Sequence, residues 1–152
     1  MKIVLQRVKE ASVSVQGNVV GKIKQGVCLL VGIEKGDREE DARYLARKIT
    51  ELRIFPDEQG KMNRSLFDVG GDVLAVSQFT LAGSVQKGRR PSFDKAEEPA
   101  RADWLFHFFV EQLIQGGLKV ETGVFQAMME VRLINDGPLT FILQGKNRSA
   151  KL

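Results

Sequence analysis

The chain has 152 residues, 43% hydrophobic and 28% charged, enough for one buried core and too short for two comfortable domains. Its net charge of +4 permits contact with a polyanion without demanding it. The longest apolar run, "VCLLVGI" at 27–33, falls far short of a membrane span, no uninterrupted signal-peptide core follows Met1, and the single cysteine excludes an intramolecular disulfide framework, which together point to a cytoplasmic protein.

The N-terminal quarter reads as β: "SVSVQGNVVGKI" alternates, turns at Gln16-Gly17-Asn18 and returns through Val19, Val20 and Ile23. "GVCLLVGIE" follows as a strand buried on both faces, with Cys28 as a core side chain or, alternatively, a reactive thiol. At Asp37 the period changes. Asp37 is the predicted cap of a helix, with Glu40 in the capping-box position and Ala42, Leu45, Ala46, Ile49 and Leu52 as its apolar stripe. "LRIFPDEQGKMN" predicts a short strand stopped by Pro56, and "VGGDVLAVSQFTLAG" a longer one. The next stretch, "SVQKGRRPSFDKAEEPARA", is a long loop and so a candidate functional segment. Pro99 opens a second helix packed by Trp104, Leu105, Phe108, Phe109, Leu113 and Ile114 and ended by Gly116-Gly117. Two last strands, about 124–134 and 139–144, flank "NDGPLT", whose Asp-Gly is a hairpin signal and whose Pro138 is an obstacle to one. The expected fold is α+β, a single domain with a mostly antiparallel, barrel-like sheet and two packed helices, spanning 1–145, with a basic tail at 146–152.

The usual catalytic equipment is missing. His107 is the one histidine, no second imidazole or thiol completes a zinc site, and neither a Gly-x-Ser-x-Gly elbow nor a phosphate-binding glycine loop is present. Attention falls on "SQFT". In an extended strand Gln78 and Thr80 share one face, Ser77 and Phe79 the other; they form either a strand end running into solvent or the floor of a polar pocket. Thr80 would then be a nucleophile, which needs a base, or an orienting hydrogen-bond group, which does not.

"SQFTL" at 77–81 and "NDGPLT" at 135–140 together resemble the signature pair of the D-aminoacyl-tRNA deacylases, first described as D-tyrosyl-tRNA deacylases. "LQRV" at 5–8, "ASV" at 11–13, "RIFPDEQGKMN" at 53–63, "GRRPSF" at 88–93 and "TGVFQAMMEVRLINDGPLT" at 122–140 extend the resemblance from Met1 to about Gln144. Leu139 stands where the family usually has Val, and Gln126 where Gly or Ala is expected. The resemblance implies a homodimer of barrel-like domains that hydrolyses the ester of D-aminoacyl-tRNA, and of glycyl-tRNA mischarged on alanine tRNA, in translation quality control, without metal or cofactor. It implies a cis Gly137-Pro138 bond that reaches into the partner subunit's site, catalysis around Ser77, Gln78, Phe79 and Thr80, and a terminal adenosine near Phe125 and Met129. Arg7 is either a brace for the Gly-Pro loop or a charge on a strand's solvent face. Phe125 and Met129 are either a stacking platform or core. Lys87, Arg89 and Arg90 either meet tRNA phosphates or form a solvated loop. The alternatives in other classes are a non-catalytic tRNA-binding module, a structural dimerisation domain and a related L-seryl-tRNA editing domain.

Overall fold

Strand β1 (Lys2–Val15) runs the length of the molecule and has both of its edges occupied. On one edge the chain turns at Gln16-Gly17 and returns as β2 (Asn18–Ile23) and β3 (Gly26–Gly32). These are two halves of one return strand: Ala11 pairs Ile23 and Val8 pairs Gly26, the same register on either side of a break at 24–25. The opposite edge belongs to β8 (Glu130–Gln144), antiparallel to β1 from Lys2 to Ser14. Beyond β3, the sheet adds β6 (Asp72–Ser77) and β7 (Val120–Thr122), both in parallel pairing. Parallel neighbours need long crossovers. The first holds α1 (Glu39–Glu51), the small hairpin β4 (Phe55–Pro56) with β5 (Met62–Arg64), and the single-turn α2 (Leu66–Val69); the second holds α3 (Pro99–Gln115). The sheet is mixed but mostly antiparallel, and it curls into a nearly closed barrel. The structure, a computed structural model, describes residues 1–145; the tail with Lys146, Arg148 and Lys151 lies outside the described residues.

Alternation along the strands divides the apolar side chains between two cores. Val27, Leu29 and Val31 of β3 and Val73 and Ala75 of β6 face α1 and α3, where they meet Leu45, Ile49, Leu105, Phe106, Phe109 and Leu113. Cys28, Leu74 and Val76 point to the other side, into a smaller cluster with Val8, Val13 and Ile23. Cys28 is buried there, and burial pushes its thiol up to about 11, so it packs as a small apolar group. No helix among the described residues is long and apolar enough to cross a membrane.

Four sequence expectations change. The stretch expected to form two strands joined by a hairpin at "NDGPLT" is instead one strand, β8, whose two halves both pair with β1 and not with each other. The strand through "SQFTL" stops at Ser77. On α3 the buried face is Leu105, Phe106, Phe109, Val110 and Leu113, whereas Trp104 and Ile114 are about half exposed at 47% and 48%. Trp104 stacks on Phe108 and lies under the Arg101 guanidinium, so its ring is used at the surface. Finally, Asp37 does not cap α1. The cap is Arg38, and Asp41, inside the first turn, accepts from the Arg38 amide at 3.0 Å.

Asp37 is buried instead, paired with the α-ammonium of Met1 and accepting from the Glu34 amide at 2.7 Å. Burial pushes its carboxyl up to about 6, against the pull of the ammonium. A folded value above the ordinary one means that the folded state holds this proton more tightly than the unfolded chain does. Asp37 therefore contributes its stability in full below about 4 and loses it as pH rises through about 6. Urea midpoints of wild type and Asp37→Asn should diverge less in wild type's favour at pH 7 than at pH 4. A difference that is flat with pH would show that the carboxyl is not raised.

Candidate active site

The candidate residues fall into two constellations, and the sheet sets where each stands. The first is the end of β6. Pairing with β3 continues one step past Ser77, with the Gln78 amide donating to the Val31 carbonyl at 2.8 Å. The chain then tightens into a 3-10 turn, Phe79–Ala82, closed by the Leu81 amide on the Gln78 carbonyl at 3.2 Å and the Gly83 amide on the Thr80 carbonyl at 3.0 Å. The first amides of such a turn, those of Phe79 and Thr80, have no acceptor within it. Thr80 is exposed, Ser77 and Gln78 are half-buried, and Phe79 is 59% exposed. Because the strand ends, Gln78 and Thr80 are brought together by the turn rather than by a pleat: the Gln78 side-chain amide donates to Thr80 Oγ1. That is the only side-chain hydrogen bond of Thr80 among the described residues, so neither a carboxylate nor an imidazole activates it. His107 lies on α3 and bonds Asp103, one helical turn away.

Thr122 pairs with Ala75, and the Gly123 amide donates to the Ala75 carbonyl at 3.3 Å, so the chain leaves β7 two residues short of the end of β6. Phe125 is half-buried, with its ring 6.4 Å from Phe106. Met129 is half-buried against the smaller cluster. Both residues pack partly against the core and leave part of their surface exposed. The loop after Gly83 is pinned at both ends. The Ser84 and Ser92 backbones bond each other at 2.8 and 2.9 Å, and the Glu97 amide reaches the Ile33 carbonyl at 3.1 Å. Lys87, Arg89 and Arg90 are fully on the surface at its tip.

The second constellation interrupts β8. Gln6 pairs Thr140 and Val8 pairs Asn135, so 136–139 stand opposite the single residue Arg7 and are squeezed out of the ladder. The loop base is tied on every side. Asn135 Oδ1 accepts from the Leu139 amide at 3.0 Å, Asn135 Nδ2 and Gln6 Nε2 both donate to Thr140 Oγ1 at 3.2 Å, and Leu139 is buried in the larger core. Arg7, only 8% exposed, donates through Nε to the Asp136 carbonyl at 3.0 Å and through Nη1 to the Ile54 carbonyl at 2.5 Å. What remains exposed is the tip, Gly137 and Pro138, joined by a cis peptide bond. Gly137 sits at φ +130°, and a Cβ there would stand 2.7 Å from Arg7 Nη2, so only glycine fits.

One copy of the chain does not bring the two constellations together. Ser77 lies level with Ile3 and the tip with Arg7, four residues apart along β1 and so about 13 Å, with β1 and β3 between their strands. A sequence model of the family described as D-Tyr-tRNA(Tyr) deacylase matches residues 4–144. A D-aminoacyl-tRNA deacylase of Halalkalibacterium halodurans is 58% identical over 96% of this chain and 100% of its own length, and one of Koribacter versatilis is 57% identical over 96% and 98%. Among solved structures, the c-Myc DNA unwinding element binding protein superposes with a TM-score of 0.89 at 40% identity, covering 96% of this chain and 99% of its own. A probable eukaryotic D-amino acid tRNA deacylase, at 18% identity and a TM-score of 0.80, shares the fold.

The chain belongs to the D-aminoacyl-tRNA deacylase family. As a member it is a hydrolase, and the deacylase signature accounts for residues that the sequence-based candidates passed over. Asn135 and Thr140 of "NDGPLT" hold the loop base, and Gln6 of "LQRV" joins them. The departure at Gln126 also has a structural setting: it sits at φ +63°, a left-handed conformation that glycine adopts without cost. Arg7→Lys tests the brace. A lysine keeps the charge but cannot bond two carbonyls in fixed directions, so unfolding in urea should show a loss of about 1–3 kcal/mol. A change within experimental error would mean that the guanidinium does not hold the loop.

Proposed function

We propose that this member of the family hydrolyses the ester linking a D-amino acid to the 3′-terminal adenosine of tRNA, giving free D-amino acid and tRNA, and that the Gly137-Pro138 tip of one copy completes the Thr80 site of a second. The observation that carries this reading is the braced, exposed tip, set about 13 Å along the sheet from the turn it would serve. The strand bearing it supports a two-copy arrangement. Among the described residues β8 pairs only with β1, and Ile134, Phe141 and Ile142 are exposed on it at 49%, 41% and 68%.

In this reading the Gly137 carbonyl accepts a hydrogen bond from the substrate's α-ammonium, and the amides of Phe79 and Thr80 stabilise the oxyanion of the tetrahedral intermediate. With ammonium and ester carbonyl both fixed, an L side chain is directed into protein and a D side chain outward. Rejection is steric, so D side chains are accepted broadly and glycine, which has nothing to reject, is hydrolysed too. Phe125 and Met129 take the terminal adenosine, and Lys87, Arg89 and Arg90 meet tRNA phosphates. Water adds to the ester carbonyl and the ribose oxygen leaves. Because Thr80 has only an amide partner, the substrate's own 2′-hydroxyl positions the water and Thr80 is an orienting group. The setting is quality control of translation in the cytoplasm.

Deacylation of D-tyrosyl-tRNA and L-tyrosyl-tRNA should be followed side by side for wild type and Gly137→Ala, with circular dichroism to establish folding. The expected result is rapid loss of the D ester alone, abolished in a folded Gly137→Ala protein. Equal rates on both esters sink the chirality argument, and binding without hydrolysis of either leaves a nucleic-acid-binding module. Single-turnover rates separate the roles of Thr80. An orienting group predicts that Thr80→Ala slows hydrolysis by about tenfold or less, whereas a nucleophile predicts near-complete loss.

A further inference from the structure

The far end of β1 carries a concavity of about 500 Å³, within the size range of small-ligand pockets. It stands apart from the turn that carries Thr80: Ser12 lies nine residues along β1 from Ile3, about 30 Å of strand. Val13 points into the smaller core, so Ser12 and Ser14 point the other way and form the floor. Both serines are half-buried and the longer side chains around them are exposed, which makes a trough. The strand register sets what stands beside each. Ser12 pairs with Lys22 of β2 on one side and with Arg132 of β8 on the other. Paired residues share a face, so the two cations flank the Ser12 hydroxyl across two strand spacings, about 10 Å. One step toward the hairpin, Ser14 stands between Val19 and Glu130; one step the other way, Glu10 stands beside Ile134. Among the described residues, Lys22, Arg132, Glu10 and Glu130 form no ion pair and neither serine hydroxyl forms a hydrogen bond.

Three uncommitted donors therefore stand in one row on three adjacent strands: an ammonium, a hydroxyl and a guanidinium. A planar carboxylate ligand has too few oxygens for all three directions. A phosphate has acceptor oxygens in a tetrahedral array, and a guanidinium meets it with two parallel bonds. The carboxylates say what lies beside that phosphate. Glu10 and Glu130 are each two residues from the cation row, about 7 Å, and on opposite sides of it. An ionised carboxylate only accepts, so each position calls for a donor such as a sugar hydroxyl. Val19 and Ile134, both exposed, offer apolar surface to the sugar carbons. A phosphate with a donor-bearing sugar on each side is a phosphodiester of RNA, whose 2′-hydroxyls distinguish it from DNA. A free nucleotide has a sugar on one side only. We propose that the trough is a binding site for RNA backbone, in which Lys22, Ser12 and Arg132 hold one phosphate and Glu10 and Glu130 accept from the 2′-hydroxyls of the flanking sugars. The site reads no base and takes no residue from the catalytic turn.

The test follows the backbone amide signals of isotope-labelled protein by NMR, at low salt, where phosphate contacts are strongest. The probes are uridylyl-(3′→5′)-uridine, its 2′-deoxy counterpart, uridine 5′-monophosphate and inorganic phosphate. The proteins are wild type, Lys22→Gln/Arg132→Gln and Glu10→Gln/Glu130→Gln, all substituted at exposed positions. In wild type the ribose dinucleotide should shift Ser12, Lys22 and Arg132 and bind about tenfold or more tightly than the deoxy dinucleotide. The cation variant should lose that binding. The carboxylate variant should keep it while losing the preference for ribose over deoxyribose. Equal affinity for the two dinucleotides in wild type overturns the site, as does a ribose preference that survives removal of both carboxylates. Shifts confined to the Thr80 turn, or none with any probe, overturn it as well. Binding of the monophosphate or of phosphate alone as tight as that of the ribose dinucleotide overturns the assignment to RNA. No ester enters the experiment, so its result is independent of the deacylase reading.

Discussion

A guanidinium buried in the middle of a strand cannot be left without acceptors, and Arg7 is where this structure meets that demand. Its position on β1 places it among apolar neighbours, where an unpaired charge costs several kcal/mol. The acceptors are two backbone carbonyls from far along the chain, Ile54 from the segment after α1 and Asp136 from the loop in β8, with the Asp136 carboxylate at 3.7 Å. The loop is thus held by a group that loses more than the loop does if the two part. A bulge in an edge strand would otherwise be among the least constrained features of the molecule. Here Arg7, Asn135, Thr140 and buried Leu139 leave only Gly137 and Pro138 projecting.

The other constellation has the opposite character. The end of β6 is shaped by backbone: a parallel ladder that stops, a 3-10 turn that begins, and first amides with no acceptor inside that turn. Among the described residues the one side-chain hydrogen bond of Thr80 comes from the Gln78 amide, a group that moves no proton. The raised groups of the molecule, Cys28 and Asp37, are both in the packed interior, where burial alone accounts for the direction of their shifts. The lowered carboxylates, Glu39, Asp57 and Asp68, are on the surface, where backbone amides hold them down.

Much of this was legible in the sequence because it depends on local period and local chemistry. The β1–β2 hairpin followed from alternation around Gln16-Gly17, and both long helices from apolar stripes and from Pro99 at the start of the second. What was not legible depends on partners remote in the chain. "NDGPLT" is chemically a good turn, and only the length of β1 opposite it makes the strand resume in the same direction. "SQFTL" continues the β pattern of "DVLAVS", yet β3 ends beside it at Gly32 and offers no further ladder. On α3 the aromatic residues cover nearly every face, so periodicity could not choose between Trp104 and Phe106; the position of the sheet did. Asp37 is a good cap on paper, but the buried ammonium of Met1 pairs with it and the cap falls to Arg38. The residues around the two signatures came from a resemblance across the chain, since spacing alone left strand end and pocket floor undecided.

These features converge on a question of recognition. A catalyst meant to act on any D-aminoacyl ester has few substrate atoms to rely on, because the side chain differs each time. The constant parts are the α-ammonium, the ester carbonyl, the ribose hydroxyls and the last nucleotides. Each calls for a donor or acceptor at a fixed point, and none calls for a fitted apolar pocket. Backbone groups meet that need better than side chains do, since they have no rotamers to order and no charge to desolvate. In the proposed site the ammonium meets the Gly137 carbonyl and the oxyanion meets the amides of Phe79 and Thr80, while the charged and aromatic side chains are reserved for RNA. In the proposed reading, a site that reads chirality by steric exclusion needs rigidity at its tip, and the bonds of Arg7 hold that tip in place.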